Sequence, residues 1–168
     1  MIVEIVPIPT LAFTKVHFYS VRLEGRAISE FKDFQIRMRE KGYDPELAEI
    51  NRYINNIGKR FGATTNQFRH EGAADGLPPP YHPFIETDNP DDYGIRLYCI
   101  RISPSIVILL NGDSKTHQKA ALCENCKPHF ERANVLANKI TQAIQQGDIE
   151  IGEDERQLTT YDDFELTL

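Results

Sequence analysis

Apolar and polar positions along the first sixty residues predict one strand followed by two helices. Residues 10–22 combine β-branched and aromatic side chains with loosely alternating polar ones, which is typical of a strand. Residues 29–41 place apolar side chains at helical spacing after Ser29, a residue type that caps helix N-termini. From 44 to 61, apolar residues recur every three or four positions, which predicts a second amphipathic helix that ends at Gly62.

The second half of the chain predicts a strand hairpin and a long helix. Residues 94–103 alternate between apolar and polar side chains, and residues 106–110 are continuously apolar, as expected for a central strand. The Ser-Pro-Ser sequence between them predicts a tight turn. A helix is predicted over 128–146, because its apolar positions have helical spacing and Gly147 follows as a C-terminal cap.

Glycine and proline mark the segments with weaker patterns. Residues 72–93 contain seven of them and predict a loop, with candidate short strands at 68–70 and 83–86. Pro7 and Pro9 limit the residues before the first strand to an edge strand or an extended arm.

These elements predict an α+β domain over 1–147 and an acidic C-terminal tail over 148–168. The expected sheet is small, twisted and mostly antiparallel. An N-terminal helical hairpin packs on one face of it, and the C-terminal helix is expected on the same face. The tail contains two weak strand-like pieces, at 149–151 and 164–168.

Composition narrows the class of protein. The chain has 168 residues, 40% of them hydrophobic and 26% charged, which is ordinary for a globular protein. No apolar run approaches the ~18 residues of a membrane span, so no membrane partner is expected. Three cysteines are too few for a disulfide scaffold. Because the N-terminus also lacks a signal-peptide pattern, a cytoplasmic location is expected.

Charge is distributed unevenly along the chain. The net charge of −6 argues against a generic nucleic-acid binder. However, residues 94–147 carry seven basic and three acidic residues, whereas 148–168 carry eight acidic residues and one basic. The pattern fits either solvated surface with chance clustering or a basic functional face that the acidic tail partly neutralises.

Two neighbouring motifs resemble a known toxin family. Gly-Ile-Arg-Leu-Tyr at 94–98 precedes the predicted turn, and Ile-Val-Ile-Leu-Leu-Asn-Gly-Asp-Ser-Lys-Thr follows it at 106–116. Over about residues 10–144, this pattern resembles the RelE/ParE/HigB-type toxin superfamily of toxin–antitoxin systems. The resemblance implies either ribosome-dependent mRNA cleavage or inhibition of DNA gyrase. It also implies a cognate antitoxin as partner, with the ribosome and its mRNA, or a second copy in a homodimer, as further partners.

The resemblance points to Arg96 and Lys115 as catalytic residues, with His70 as a candidate general base. Cationic side chains would stabilise the pentavalent phosphate and the leaving oxygen without a metal or another cofactor. Tyr98 is expected to stack on a base. Three further basic residues are candidates for RNA contacts: Arg69, Arg101 and Lys119. Solvated surface or core packing is the alternative interpretation at each position.

The chain also departs from the family. It is acidic overall, and Lys115 is followed by Thr116 where the family often has two basic residues. The long acidic tail could cover the basic face in cis, as an antitoxin would. A non-catalytic binding module of the same fold is therefore the alternative, either a gyrase inhibitor or a degenerate phage-related protein.

A cluster of cysteine and histidine residues has the atoms of a zinc site. Its members are His117, Cys123, Cys126 and His129. The Cys-x-x-Cys spacing suits a metal, so a small zinc-stabilised protein is a third hypothesis. The alternatives are thiols without a partner, or a redox pair at the start of the helix that Pro128 opens. Cys99 is expected in the core.

Overall fold

The computed structural model describes residues 1–80, 94–161 and 163–168. The strands are β1 (Ile2–Ala12), β2 (His17–Leu23), β3 (Arg69–Glu71), β4 (Ala74–Leu77), β5 (Ile95–Ser103), β6 (Ile106–Ser114), β7 (Ile149–Ile151), β8 (Leu158–Thr160) and β9 (Leu166–Thr167). The helices are α1 (Glu30–Glu40), α2 (Asp44–Asn56) and α3 (Lys127–Gln146). A π-helical turn at Ile57–Phe61 continues α2, and short 3₁₀ turns lie at Thr65–Gln67 and Ala120–Leu122.

Seven strands form one sheet in the order β3-β4-β5-β6-β2-β1-β9. Among the paired strands that the structure describes, β2 and β6 run parallel and the other neighbours are antiparallel. The α+β class and the mostly antiparallel sheet are therefore confirmed. The sheet has more strands than the small sheet that the sequence predicted.

The predicted strand over 10–22 is two strands. β1 pairs antiparallel with β2 along most of its length. β9 pairs with β1 at Ile2 and Val3 alone, so the rest of β1 is an edge strand within the described chain. Prolines are tolerated at such an edge because they cannot donate a ladder hydrogen bond.

The caps and breaks of the helices follow the sequence signals. The Ser29 hydroxyl accepts a hydrogen bond from the Lys32 N–H at 3.3 Å and caps α1. The π-helical turn after α2 ends at Gly62, and α3 ends at Gly147. These predictions are confirmed because capping depends on side chains within one turn of the helix end.

The helices cover both faces of the sheet, so the expectation that they group on one face is wrong. α1 and α2 pack on the face that carries Val107 and Leu109. α3 packs on the opposite face, against Ile106, Ile108 and Leu110. Successive residues of a strand point to opposite faces, so the continuously apolar stretch of β6 needs an apolar layer on each side.

The predicted tail over 148–168 is folded against the rest of the molecule. Ile149 and Leu166 are buried in the core on the α3 face. The Tyr19 hydroxyl donates to the Arg156 carbonyl at 3.1 Å and accepts from the Leu158 N–H at 3.2 Å. Strand β9 also lies at the opposite edge of the sheet from β3.

The predicted loop begins with strand β4, which pairs with β3 directly before the loop. The candidate strand at 68–70 corresponds to β3, whereas β4 has no sequence signal because glycine interrupts it. The candidate strand at 83–86 lies outside the described residues. None of the helices in the described ranges is long and apolar enough to cross a membrane.

Candidate functional site

The β5–β6 hairpin places the motif residues opposite one another. Its turn lies at Pro104 and Ser105, as predicted, and Arg96 pairs with Asp113. A Cβ atom on Gly112 would lie 1.8 Å from the Arg96 carbonyl oxygen, so this close approach of the strands requires glycine. The second strand extends beyond the apolar stretch at 106–110, because β6 continues to Ser114 and buries its polar end.

Arg96 and Lys115 are both buried on the α3 face of the sheet and act on each other electrostatically. Their exposed fractions are 4% and 6%. Burial, followed by the charge of Arg69, lowers the pKa of Arg96. Burial, followed by the charge of Arg96, lowers the pKa of Lys115. Solvated surface, one alternative interpretation of Arg96, is therefore wrong, because α3 covers this face.

Among the residues that the structure describes, more positive than negative side chains surround Arg96. Glu71 on β3 is buried, and its Oε1 lies 3.7 Å from the Arg96 Nε. The Arg96 Nε is buried and makes no hydrogen bond. Across the described ranges, the cationic pocket thus combines Arg69, Arg96 and Lys115 with the single carboxylate of Glu71. The sequence pattern missed Glu71, because a three-residue strand leaves no periodic signal.

Tyr98 is a core residue. Its side chain is fully buried, and its ring packs edge-on against Phe130 of α3 with centroids 5.9 Å apart. Burial, followed by the neighbouring Cys126, raises the pKa of its hydroxyl. The expectation that Tyr98 stacks on a base is therefore wrong for this structure.

His70 lies outside the cationic pocket. Its side chain is 80% exposed, and its Nδ1 lies 3.8 Å from the Asp75 Oδ1. Asp75 pairs across the sheet with Cys99, which belongs to the core on the α1/α2 face. Because neighbouring residues of a strand alternate between faces, His70 points away from Arg69 and Glu71. The predicted general base is not brought to the predicted cations.

The other basic candidates are dispersed. The Arg69 guanidinium donates to the carbonyls of Pro78 and Pro79 at 3.4 and 3.5 Å. The Arg101 Nε donates to the Ala63 carbonyl, away from the cationic pocket. Lys119 lies on an exposed segment between β6 and α3. Of these three residues, Arg69 alone acts electrostatically on Arg96 and Lys115.

The zinc ligands are not assembled. His117 is exposed, and its Nδ1 accepts a hydrogen bond from the Lys119 N–H at 3.1 Å. The His129 Nε2 lies 3.9 Å from an oxygen of Asp113. No group of three or more metal-binding side chains comes together in the described part of the chain.

The two remaining members of that cluster, Cys123 and Cys126, form a buried pair at the start of α3. Cys126 is the N-terminal cap residue of this helix. The Cys123 sulfur accepts hydrogen bonds from the backbone N–H groups of Cys126 and Thr116, each at 3.4 Å. The Cys126 thiol donates to the Ser114 carbonyl at 3.5 Å. Cys99 is buried in the other core, as expected.

A polar network joins α1 to the end of β6. The Arg37 guanidinium donates to Asp33 and Asp113, each at 2.8 Å, and also to Asn111. Lys41 donates to Asp113 at 2.6 Å. Burial raises the pKa of Asp113, but the Lys41 hydrogen bond and the backbone N–H of Ser114 outweigh it, so the pKa is lowered.

Comparisons of the chain with models of protein families, with curated proteins and with solved structures found no match. Function is therefore argued from geometry. Apart from the polar network, two clusters of side chains have a chemistry of their own. One is the cationic pocket, in which the Arg96 Nε has the Glu71 carboxylate 3.7 Å away but no hydrogen bond among the described residues, and the other is the pair of thiols at the start of α3.

Proposed function

We propose that the cationic pocket binds a phosphate group of RNA and that the chain is a toxin-like RNA-binding protein. One observation carries this proposal: Arg96 is almost fully buried, yet its Nε makes no hydrogen bond. A buried guanidinium normally forms charge-assisted hydrogen bonds with carboxylate or phosphate oxygens. A phosphate oxygen would supply the missing acceptor.

The charge balance supports an anionic ligand. Arg69, Arg96 and Lys115 share the pocket with one described carboxylate, that of Glu71. Removing an ion from water without full compensation costs on the order of several kcal/mol. A bound phosphate would offset this cost and would raise the pKa of both Arg96 and Lys115.

The resemblance to the RelE/ParE/HigB-type toxins suggests RNA as the source of the phosphate. Binding is favoured over cleavage, because His70 points away from the pocket and no other described histidine lies in it. Binding of RNA without cleavage differs from the non-catalytic alternative of the sequence analysis, which is a gyrase inhibitor or a degenerate phage-related protein. A cognate antitoxin is the proposed protein partner.

Fluorescence anisotropy with a short, labelled single-stranded RNA tests this function. We expect Arg96→Gln and Lys115→Gln each to weaken binding by about tenfold or more, since a hydrogen bond to a charged group contributes ~1.5–3 kcal/mol. Each phosphate contact releases counterions from the RNA when the protein binds. Loss of one contact should therefore decrease the magnitude of the slope of log K against log salt by about 0.7.

Arg39→Gln is the matched control, because it removes one positive charge from an exposed position on α1. It should change the RNA affinity less than twofold. The near-ultraviolet circular dichroism of all variants is measured first, to show that each variant is folded. Equal losses in the control and in the Arg96 variant would refute the pocket. If purified wild-type protein shortens the RNA and the Arg96→Gln and Lys115→Gln variants do not, the protein cleaves RNA instead.

A further inference from the structure

We propose that Cys123 and Cys126 form a site of thiol–disulfide exchange. When the pair reacts with a disulfide substrate, the two cysteines become linked by an intramolecular disulfide. The chemical class of its substrate is a low-molecular-weight or protein disulfide. This inference rests on the pair of thiols alone and does not depend on the proposed RNA pocket.

The geometry of the pair carries the inference. The two residues are three positions apart, and the Lys127 N–H donates to the Cys123 carbonyl at 2.8 Å, which closes a turn around them. Within this turn the Cys126 N–H points at the Cys123 sulfur, at 3.4 Å. The sulfur thus accepts a hydrogen bond from the residue that directly precedes the 20-residue helix α3.

The environment gives the two sulfurs different roles. Burial raises the pKa of Cys123, but hydrogen bonds from Thr116 and Cys126 outweigh it and lower the pKa to about 7. Burial, followed by the neighbouring Cys123, raises the pKa of Cys126 to about 12. Cys123 is therefore the attacking thiolate near neutral pH, and Cys126 holds its proton until the second step.

Access to the sulfurs requires a local opening of the segment between β6 and α3. Both cysteines are fully buried, but residues 116–119 and Leu122 are exposed. Several of the hydrogen bonds that hold this segment in place involve the Cys123 sulfur. One more joins the Asn125 side-chain amide to the Ser114 hydroxyl at 3.0 Å. Opening a segment with few buried side chains costs less free energy than global unfolding.

The exchange balances in atoms and electrons. The Cys123 thiolate attacks one sulfur of oxidised glutathione, so a mixed disulfide forms, the glutathione disulfide breaks and one glutathione thiolate leaves. Cys126 then loses its proton to solvent and attacks the Cys123 sulfur, which releases the second glutathione thiolate. Two electrons pass from the dithiol to glutathione, and both released thiolates take up protons from water.

Equilibration of the full chain in glutathione buffers of increasing oxidising strength tests the proposal. Free thiols are trapped with iodoacetamide and mapped by mass spectrometry. We expect a peptide that has lost two hydrogens and contains linked Cys123 and Cys126, while Cys99 stays reduced. The near-ultraviolet circular dichroism should remain native, and a disulfide that forms only with loss of this signal would overturn the proposal.

Single substitutions test the order of attack. Cys126→Ser should accumulate a glutathione adduct on Cys123, whereas Cys123→Ser should leave Cys126 unmodified under the same conditions. Cys99→Ser is the control and should still form the intramolecular disulfide.

Wild-type protein provides the same test if a cysteine variant fails to fold. Iodoacetamide should label Cys123 before Cys126, with a rate that rises with pH as the thiolate forms. Preferential labelling of Cys126, or two free thiols in wild-type protein at the most oxidising buffer, would refute the exchange site.

Discussion

His129 shows what burial does to one side chain. It lies on α3, with its Nε2 3.9 Å from a carboxylate oxygen of Asp113. Burial, followed by the charge of Arg37, lowers its pKa from 6.5 to about 4, and Arg132 acts in the same direction. The sequence offered this residue as a zinc ligand, but the structure makes it a neutral imidazole within the polar network.

The low pKa predicts that His129 destabilises the folded protein in acid. Between about pH 6.5 and 4, the unfolded chain binds a proton that the folded chain does not, so the free energy of unfolding falls as the pH falls. From pH 7 to pH 4.5 this loss is about 2–3 kcal/mol. Urea unfolding should show that His129→Gln removes most of it.

The exposed His117 provides the control for this measurement. His117→Gln should keep the wild-type difference between the two pH values, because the side chain lies in solvent. An identical loss of stability in wild-type protein and in the His129→Gln variant would contradict the assignment.

Helix α1 is held to the sheet by ion pairs as well as by apolar contacts. Phe31, Phe34 and Met38 are buried against the sheet, and Arg37 reaches the end of β6. The apolar positions were visible in the sequence as a helical pattern. The pairing of Arg37 with Asp113 was not, because the two residues are 76 positions apart.

Arg37→Ala should lower the free energy of unfolding by about 3 kcal/mol, since it removes a guanidinium that bonds both the partly buried carboxylate of Asp33 and the buried carboxylate of Asp113. Arg39→Ala, on the same helix, removes an exposed side chain 3.9 Å from Asp44 and should cost less than about 1 kcal/mol. Urea midpoints at constant m-value measure both. Equal effects would show that the polar network contributes nothing specific.

Whether an element could be predicted depended on how local its signal was. The hairpin of β5 and β6 and the helix α3 were predicted within a few residues of their ends, because alternation, helical spacing and caps act over short distances. β4 was missed, because its pairing with β5 stabilises a sequence that contains glycine and no alternation.

Across the whole molecule, residues 148–168 complete the fold on the α3 face. Ile149 is 1% exposed beneath α3, whereas Ile151, on the same short strand, is 39% exposed. No ion pair joins an acidic residue of this segment to Arg96 or Lys115 in the described structure. A cis-acting cover over the cationic pocket is therefore not supported, and the segment acts through its apolar side chains.

Ile149→Ala should destabilise the protein by about 2–4 kcal/mol, because it leaves a cavity in the core. Ile151→Ala should change the stability by less than about 1 kcal/mol. Thermal and urea unfolding of the two variants measure the difference. Two equally small effects would mean that the segment is a detachable tail, as the sequence predicted.

The amino-acid sequence was sufficient to locate helix caps, the central hairpin and the α+β class, because these depend on neighbours within a few positions. It also indicated Arg96 and Lys115 as a related pair. It could not predict which face of the sheet α3 covers or that Glu71 lies beside Arg96. It also could not predict that His70 points away from Arg69 and Glu71. Those features arise when residues distant in the chain pack together and lose water, and no local pattern records which partners they meet.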